Sequence, residues 1–101
     1  MDIYWIIMHC MVRPGGCNSF PAGTRARSDV FVKATGWDNA LCRASDQLAN
    51  LYWEIIDLEP GRKPMRENFE QDPELLSLFD EATEKGLSVL IRPKSPGNEQ
   101  N

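Results

Sequence analysis

The chain has 101 residues, of which 42% are apolar and 26% are charged. A chain of this length forms one hydrophobic core and buries roughly 65% of its unfolded surface, so it needs neither a metal nor a disulfide to fold. Its formal net charge of −4 argues against a general nucleic-acid-binding protein, because such proteins usually carry a basic surplus.

Charge is distributed unevenly along the sequence. The segment 67–84 contains many acidic residues but neither Lys nor Arg, whereas the basic residues of the segment 13–33 outnumber its single acid. This asymmetry is the main electrostatic feature of the sequence, because it predicts surfaces of opposite charge on one small domain.

The first apolar segment, Ile3 to Val12, predicts a central strand. Its apolar residues occupy both alternating faces, which is typical of a strand covered on two sides. The segment is too short to span a bilayer and lacks the basic start and cleavage site of a signal peptide. We therefore expect a cytoplasmic protein with no membrane association. Helices should cover one face of this strand, and a further element, such as a partner subunit, should cover the other.

A Gly- and Pro-rich loop, 13–24, leads to a second strand with strict alternation. Loops of this length inside compact domains are often functional. Small and apolar residues form one face of the strand, between Ala26 and Ala34. The opposite face carries Arg25, Arg27, Asp29, Phe31 and Lys33. The sequence therefore predicts a cationic face with one aromatic residue.

An amphipathic helix is predicted next. Thr35 and Asp38 match a capping box with Asp in place of the usual Glu. The apolar residues at helical spacing are Trp37, Leu41, Ala44, Leu48 and Leu51. The residues 52–58 predict a strand, 59–62 a type II turn, and 63–66 an edge strand.

The second helix has clear signals at both ends. Asp72 is suited to the N-cap, Pro73 to the first helical position and Gly86 to a left-handed C-terminal cap. The residues 87–92 predict a final strand, and 93–101 predict a disordered tail. One domain of residues 1–92 is therefore expected.

From Ser28 onward, the order of predicted helices and strands resembles the ferredoxin-like plait. This resemblance in element order implies an α+β fold, a two-layer α/β sandwich with two helices on one face of a four- to five-stranded, mainly antiparallel sheet. The segment Ile3–Val12 is then an extra N-terminal strand. Because Pro64 would disrupt a central strand, Ile3–Val12 can take the central position instead.

Candidate groups for chemistry are few. His9 is the only histidine, and the side chain of the adjacent Cys10 leaves the opposite face of a strand, so the two cannot ligate one ion. Cys17 in the loop, near Arg13, is the best candidate for a reactive thiol, although an incidental loop cysteine is the favoured interpretation. With Cys42, the cysteines number three and form no C-x-x-C pair. No catalytic residue, metal or cofactor is predicted.

The pattern favours a non-enzymatic binding or assembly module. With both helices on one face, the other face would expose an apolar patch ringed by cations, which is typical of an interface. A homodimer or an acidic protein partner would cover it, and the predicted partner- or anion-binding residues are Arg13, Arg25, Arg27, Phe31 and Lys33. One alternative is a small cofactor-free ferredoxin-like enzyme with a pocket between the sheet and the loop 13–24. A second alternative is a weak binder of anions or single-stranded nucleic acid, although nucleic acid is disfavoured by the charge.

Overall fold

In the computed structural model, which describes residues 1–15 and 20–94, four strands form an antiparallel sheet in the order β3-β1-β2-β4. The strands are β1 (Asp2–Val12), β2 (Arg25–Ala34), β3 (Trp53–Leu58) and β4 (Leu87–Pro93). Helix α1 (Trp37–Asn50) connects β2 to β3, and a 3-10 helix (Arg66–Phe69) followed by α2 (Pro73–Lys85) connects β3 to β4. The predicted α+β class is confirmed.

The two helices lie on opposite faces of the sheet. Ala44 of α1 belongs to a buried cluster with Met8 and the other even-numbered β1 residues from Tyr4 to Val12, whereas Ala82 of α2 belongs to a second cluster with Trp5 and Phe31. Since successive side chains of a strand alternate between faces, these clusters define an α1 face and an α2 face. The prediction of two helices on one face is therefore wrong, and the ferredoxin-like plait, which needs that arrangement, is not formed.

Strand β1 occupies the centre of the sheet, between β3 and β2, as its sequence indicates. Its even-numbered residues Tyr4, Ile6 and Met8 are buried under α1, while Ile3 and Trp5 pack in the cluster of α2. Helix α2, rather than a partner subunit, therefore supplies the second cover.

Helix α1 approaches the sheet through small residues. Its buried residues are Ala40, Ala44 and Leu48, while Trp37 and Leu41 are exposed. The buried side of the helix is therefore turned away from the predicted one, which included Trp37 and Leu41. The N-cap is Gly36 and makes no side-chain capping bond, so the predicted capping box is also wrong. The methyl side chains of Ala40 and Ala44 fit between the helix and the sheet, while the larger Trp37 lies beside the contact, edge-on to the Tyr4 ring.

Helix α2 begins and ends where the sequence predicts. The Asp72 carboxylate accepts a hydrogen bond from the Leu75 N–H at 3.2 Å, Pro73 opens the helix, and Gly86 ends it with φ of 94°. The positive φ favours Gly at this position because a Cβ is strained there.

The segment after β3 continues to pair with β1. The Glu59 N–H donates to Ile7 O, and Trp5 and Arg62 exchange two backbone hydrogen bonds of 2.8 and 3.0 Å. Gly61 does not have the positive φ that a type II turn requires; its lack of a Cβ instead makes room for the Trp37 ring. The predicted edge strand 63–66 is not formed, and Arg66 begins the 3-10 helix instead.

Strand β4 extends to Pro93, and the Lys94 N–H then donates to Arg25 O at 2.8 Å. The pairing with β2 therefore continues two residues past the predicted end of the domain. The rest of the predicted tail, 95–101, and the loop cysteine Cys17 lie outside the described residues. Within the described part of the chain, no helix has the length and apolar character needed to cross a membrane.

Candidate binding groove on the sheet

Helix α2 covers only part of its face of the sheet. Its C-terminal end lies at Lys33, whose N–H donates to Gly86 O, and its N-terminal end lies at Arg92, which is ion-paired with Glu74. Beyond Arg92 an open groove of about 530 Å³ remains. The groove is lined by His9, Cys10, Met11, Arg25, Ala26, Ile56, Asp57 and Lys94.

Strand register orders the charges across this end of the sheet. Directly opposite residues of antiparallel strands share a face, so each register position forms a row across β3, β1, β2 and β4. Two rows on the α2 face change from acid on β3 to base on β2 and β4. One row contains Asp57, His9, Arg27 and Arg92, and the next contains Glu54, Met11, Arg25 and Lys94.

Four basic residues of β2 and β4 form what we term the cationic block: Arg25, Arg27, Arg92 and Lys94. Arg25 and Lys94 are exposed, and their side chains make no ion pair or hydrogen bond with the described residues. Two unpaired cations on adjacent strands repel each other, so an anion bound between them would be stabilised by both. The block is therefore suited to bind carboxylate or phosphate groups.

A buried carboxylate positions the other two cations of the block. Asp29 is 0% exposed, and its Oδ1 accepts hydrogen bonds from Trp5 Nε1 at 3.0 Å and from Arg27 Nη2 at 3.2 Å. Its Oδ2 lies 3.7 Å from Arg92 Nη1 and accepts no hydrogen bond from the described residues. Asp29 thus holds two guanidinium groups, each about half exposed, at the border of the groove.

Arg92 is held from a second side by Glu74, in the first turn of α2. The hydrogen bond from the guanidinium to Glu74 raises the pKa of Arg92 above its usual value. Through its contacts with Glu74 and Asp29, Arg92 links the start of α2 to the sheet.

The opposite wall of the groove contains an imidazole–carboxylate pair. His9 Nε2 lies 2.8 Å from Glu59 Oε2, and the His9 side chain is 28% exposed. The adjacent Cys10 side chain points to the α1 face, where its Sγ contacts Ala26 O at 3.5 Å. Burial raises the pKa of the Cys10 thiol, so this thiol is a poor nucleophile and does not cooperate with His9.

Metal binding has no support among the described residues, which contain no group of three or more potential His, Cys, Asp or Glu ligands. Cys42 is exposed on α1, and its Sγ lies 3.9 Å from Asp46 Oδ2. It is therefore remote from His9, which lies on the α2 face of β1.

Of the predicted binding residues, the structure brings Arg25 and Arg27 together and separates the others. Phe31 is 0% exposed, between the rings of Trp5 at 5.6 Å and Phe69 at 5.5 Å, so the prediction that its side chain is exposed on the sheet is wrong. The reason is that α2 and the 3-10 helix cover its face. Lys33 lies at the far end of α2, where its Nζ donates to Thr83 O at 3.3 Å. Arg13 is exposed after β1 and does not line the groove.

Sequence reasoning missed Arg92, Lys94 and the role of Asp29. The pairing of β2 with β4 brings Arg92 beside Arg27, although the two residues are far apart in sequence. One signal was present: Asp29 is a lone acid among the cations of β2, and a buried acid needs basic partners.

Comparisons of the chain with protein-family models, with curated protein sequences and with solved structures gave no significant match. The functional interpretation therefore depends on the geometry and charge of the groove.

Proposed function

We propose that this protein is a non-enzymatic binding module that docks an acidic protein partner in the groove. The observation that carries the proposal is the cationic block. Arg25 and Lys94 have no anionic partner among the described residues, and they adjoin two guanidinium groups that Asp29 holds in place. Such fixed cations lose less conformational freedom on binding than free side chains do.

The spacing of the cationic block suits a polypeptide that carries several carboxylates. Neighbouring strands are about 4.8 Å apart, and side chains on one face of a strand repeat about every 6.8 Å. Carboxylates at successive turns of a helix, or at alternate positions of a strand, have comparable spacing. The groove is also open along its length, which suits a segment of a macromolecule better than a small enclosed ligand.

The expected affinity is modest. Exposed ion pairs contribute about 0.2–1 kcal/mol each, and bidentate Arg–carboxylate pairs contribute more. Four cations therefore supply a few kcal/mol, and contacts with Met11 and Ile56 in the groove must supply the rest. We expect binding that weakens as ionic strength rises, because salt screens exposed charges.

Two other functions have less support. Stacking of single-stranded nucleic acid would need an exposed aromatic on this face, and Phe31 is buried. An enzyme with a pocket under the loop 13–24 would need a closed cavity, whereas the groove that His9 lines is open and its imidazole is engaged with Glu59.

The test uses a fluorescent hexaglutamate peptide as the probe, with fluorescence anisotropy measured at low and at physiological salt. We expect the Arg25→Ala/Lys94→Ala variant to bind at least tenfold more weakly than the unaltered protein. The matched control is Arg13→Ala/Lys85→Ala, which removes the same charge from exposed positions outside the groove.

Equal loss of binding in both double variants would reduce the effect to net charge and would contradict the proposal, as would no binding by the unaltered protein. Tighter binding of a single-stranded oligonucleotide than of the peptide would favour the nucleic-acid alternative instead.

A further inference from the structure

We infer that the acidic partner is a second copy of this chain, whose helix α2 docks in the groove. This inference rests on the proposed function, because it names the partner of the same groove. Each copy would then contribute α2 to the groove of the other, giving a closed dimer through the α2 face.

The outer surface of α2 is acidic. Leu75, Phe79 and Ala82 face the sheet, so at 100° per residue Glu84 lies on the side away from it. Glu81 lies on the flank of the helix toward the β4 edge, where it lines an open pocket with Leu87. Both acids are exposed, and neither makes an ion pair with the described residues. Like charges three residues apart on a helix destabilise it slightly, and a cationic partner surface would remove that repulsion.

The α2 face therefore has two halves of opposite shape and charge. One half is raised by α2 and is acidic, while the other is the groove with its cationic block. The border between them runs through the ion pair of Arg92 with Glu74, at the first turn of α2. Consider a two-fold axis that lies in the plane of the α2 face, along this border and perpendicular to the strands. Rotation about this axis places α2 of each copy over the groove of the other. A two-fold contact of this kind closes as a dimer and cannot extend into a fibre.

The acidic side of the groove is complementary under the same axis. Glu54 and Asp57 of β3 form that side, and the axis brings them opposite the segment that continues β3 along β1. This segment contains Arg62, which is exposed and lies over the Trp5 ring with its Cζ 5.4 Å from the ring centroid. Arg62 makes no ion pair with the described residues, so it is available to the acids of a partner. Both sides of the face thus match in charge.

The size of the contact predicts a weak dimer. Helix α2 has 13 residues and is therefore about 20 Å long. Two symmetric contacts of one helix surface each bury on the order of 1,000 Å² in total, which is the size of a weak or transient interface. Association must therefore be measured up to high protein concentration.

The experiment is charge reversal with complementation, followed by sedimentation equilibrium from about 10 μM to about 1 mM. One variant is Glu81→Lys/Glu84→Lys, and the other is Arg25→Glu/Lys94→Glu. We expect the unaltered protein to dimerise and each variant alone to be at least tenfold weaker, because each opposes like charges at both contacts. We expect an equimolar mixture to form a heterodimer, because α2 and groove are then complementary at both contacts.

Non-specific attraction between oppositely charged proteins is controlled by Arg13→Glu/Lys63→Glu, which has the same net charge as the groove variant; Lys63 lies over Tyr4, away from α2 and the groove. It should associate with the helix variant at least tenfold more weakly than the groove variant does. Circular dichroism establishes that every variant is folded.

The inference is overturned if the variants dimerise as well as the unaltered protein, or if the mixture stays monomeric. A protein that is monomeric at about 1 mM but binds hexaglutamate in the groove overturns the homodimer and leaves the proposed function standing with another acidic partner. Absence of both dimer and peptide binding contradicts both.

Discussion

Replacement of Asp29 by Asn tests whether the buried carboxylate organises the cationic block. The substitution keeps the shape of the side chain and an acceptor oxygen for Trp5 Nε1, which lies 3.0 Å from Oδ1. It removes the charge that Arg27 and Arg92 share, and its amide N–H₂ can replace Oδ2, which lies 3.7 Å from the Arg92 guanidinium. Two groups that only donate hydrogen bonds would then face each other.

The expected cost follows from these contacts. A hydrogen bond to a charged group contributes about 1.5–3 kcal/mol and a neutral one about 1 kcal/mol, so the bond from Trp5 Nε1, which becomes neutral, loses about 1 kcal/mol. The bond from Arg27 keeps the charge of its guanidinium donor. The contact with Arg92 adds at most about 1 kcal/mol, because that guanidinium is 45% exposed and water can replace its partner. We expect the free energy of unfolding to fall by about 1–2 kcal/mol.

Urea denaturation followed by circular dichroism measures this change as a shift of the midpoint at constant slope. Asp57→Asn is the matched control, since Asp57 is exposed and its Oδ1 caps the Leu58 N–H, a bond that Asn retains. The control should change stability by less than about 0.5 kcal/mol. A stability of the Asp29→Asn protein equal to or above that of the unaltered protein would refute the reasoning. It would mean that desolvation of the carboxylate outweighs its ion pairs.

The direction in which the Asp29→Asn substitution changes hexaglutamate binding tests the role of Asp29 a second time. Removing a negative charge beside a cationic block should strengthen hexaglutamate binding if only net charge matters. If Asp29 positions Arg27 and Arg92, binding should weaken by several-fold instead, because the guanidinium groups lose their fixed orientation.

Three further predictions concern other parts of the molecule. Gly61→Ala should displace the Trp37 ring, because an added Cβ overlaps it; tryptophan fluorescence should shift to longer wavelength, and an unchanged spectrum would contradict the contact. The pKa of Asp80 lies below its usual value of 3.8 because of its hydrogen bond to Arg66, so the stabilisation is present above pH 3.8 and is lost as the pH falls through the lower, folded-state pKa. An NMR titration should show this pKa rise in Arg66→Ala, and an equal pKa in both proteins would contradict the pair. Burial raises the pKa of Cys10, so in a variant with the other two cysteines replaced by Ser, a thiol reagent at pH 7 should react only after denaturation; fast reaction with the folded protein would contradict the burial.

Several features of the fold can be predicted from local chemistry alone. Asp72, Pro73 and Gly86 define both ends of α2, because each satisfies a backbone requirement that depends only on its immediate neighbours. The apolar character of both faces of β1 predicts that both are covered, which they are.

The face that α2 covers cannot be predicted in this way. Alternation in a strand separates two faces but does not say which helix covers which, and the path of the segment 59–72 decides that. For α1, the size and apolar character of Trp37 led to the prediction that it is buried, whereas Ala40 is buried instead. A preference for large apolar residues fails where small side chains fit between a helix and a sheet.

For a similar reason, only two of the four cations at the groove can be predicted from the sequence. Arg25 and Arg27 follow from alternation within one strand, but Arg92 and Lys94 join them only through the register between β2 and β4. The register between β2 and β4 depends on tertiary packing, so it cannot be predicted from this sequence alone.

The order of the strands in the sheet also suggests an order of assembly. The central strands β1 and β2 are consecutive in sequence, and the core beneath α1 is built almost entirely from residues 4–53. On a ribosome this core can form before α2 emerges, since domains fold as their segments become available. Trp5 and Phe31 would then remain in contact with water until α2 covers them. Pulsed hydrogen exchange should show protection of β1 and β2 amides before those of β4, and simultaneous protection would exclude this order. A nascent chain in this state would expose an apolar surface to solvent. It would therefore be most prone to aggregation in the interval before α2 is synthesised.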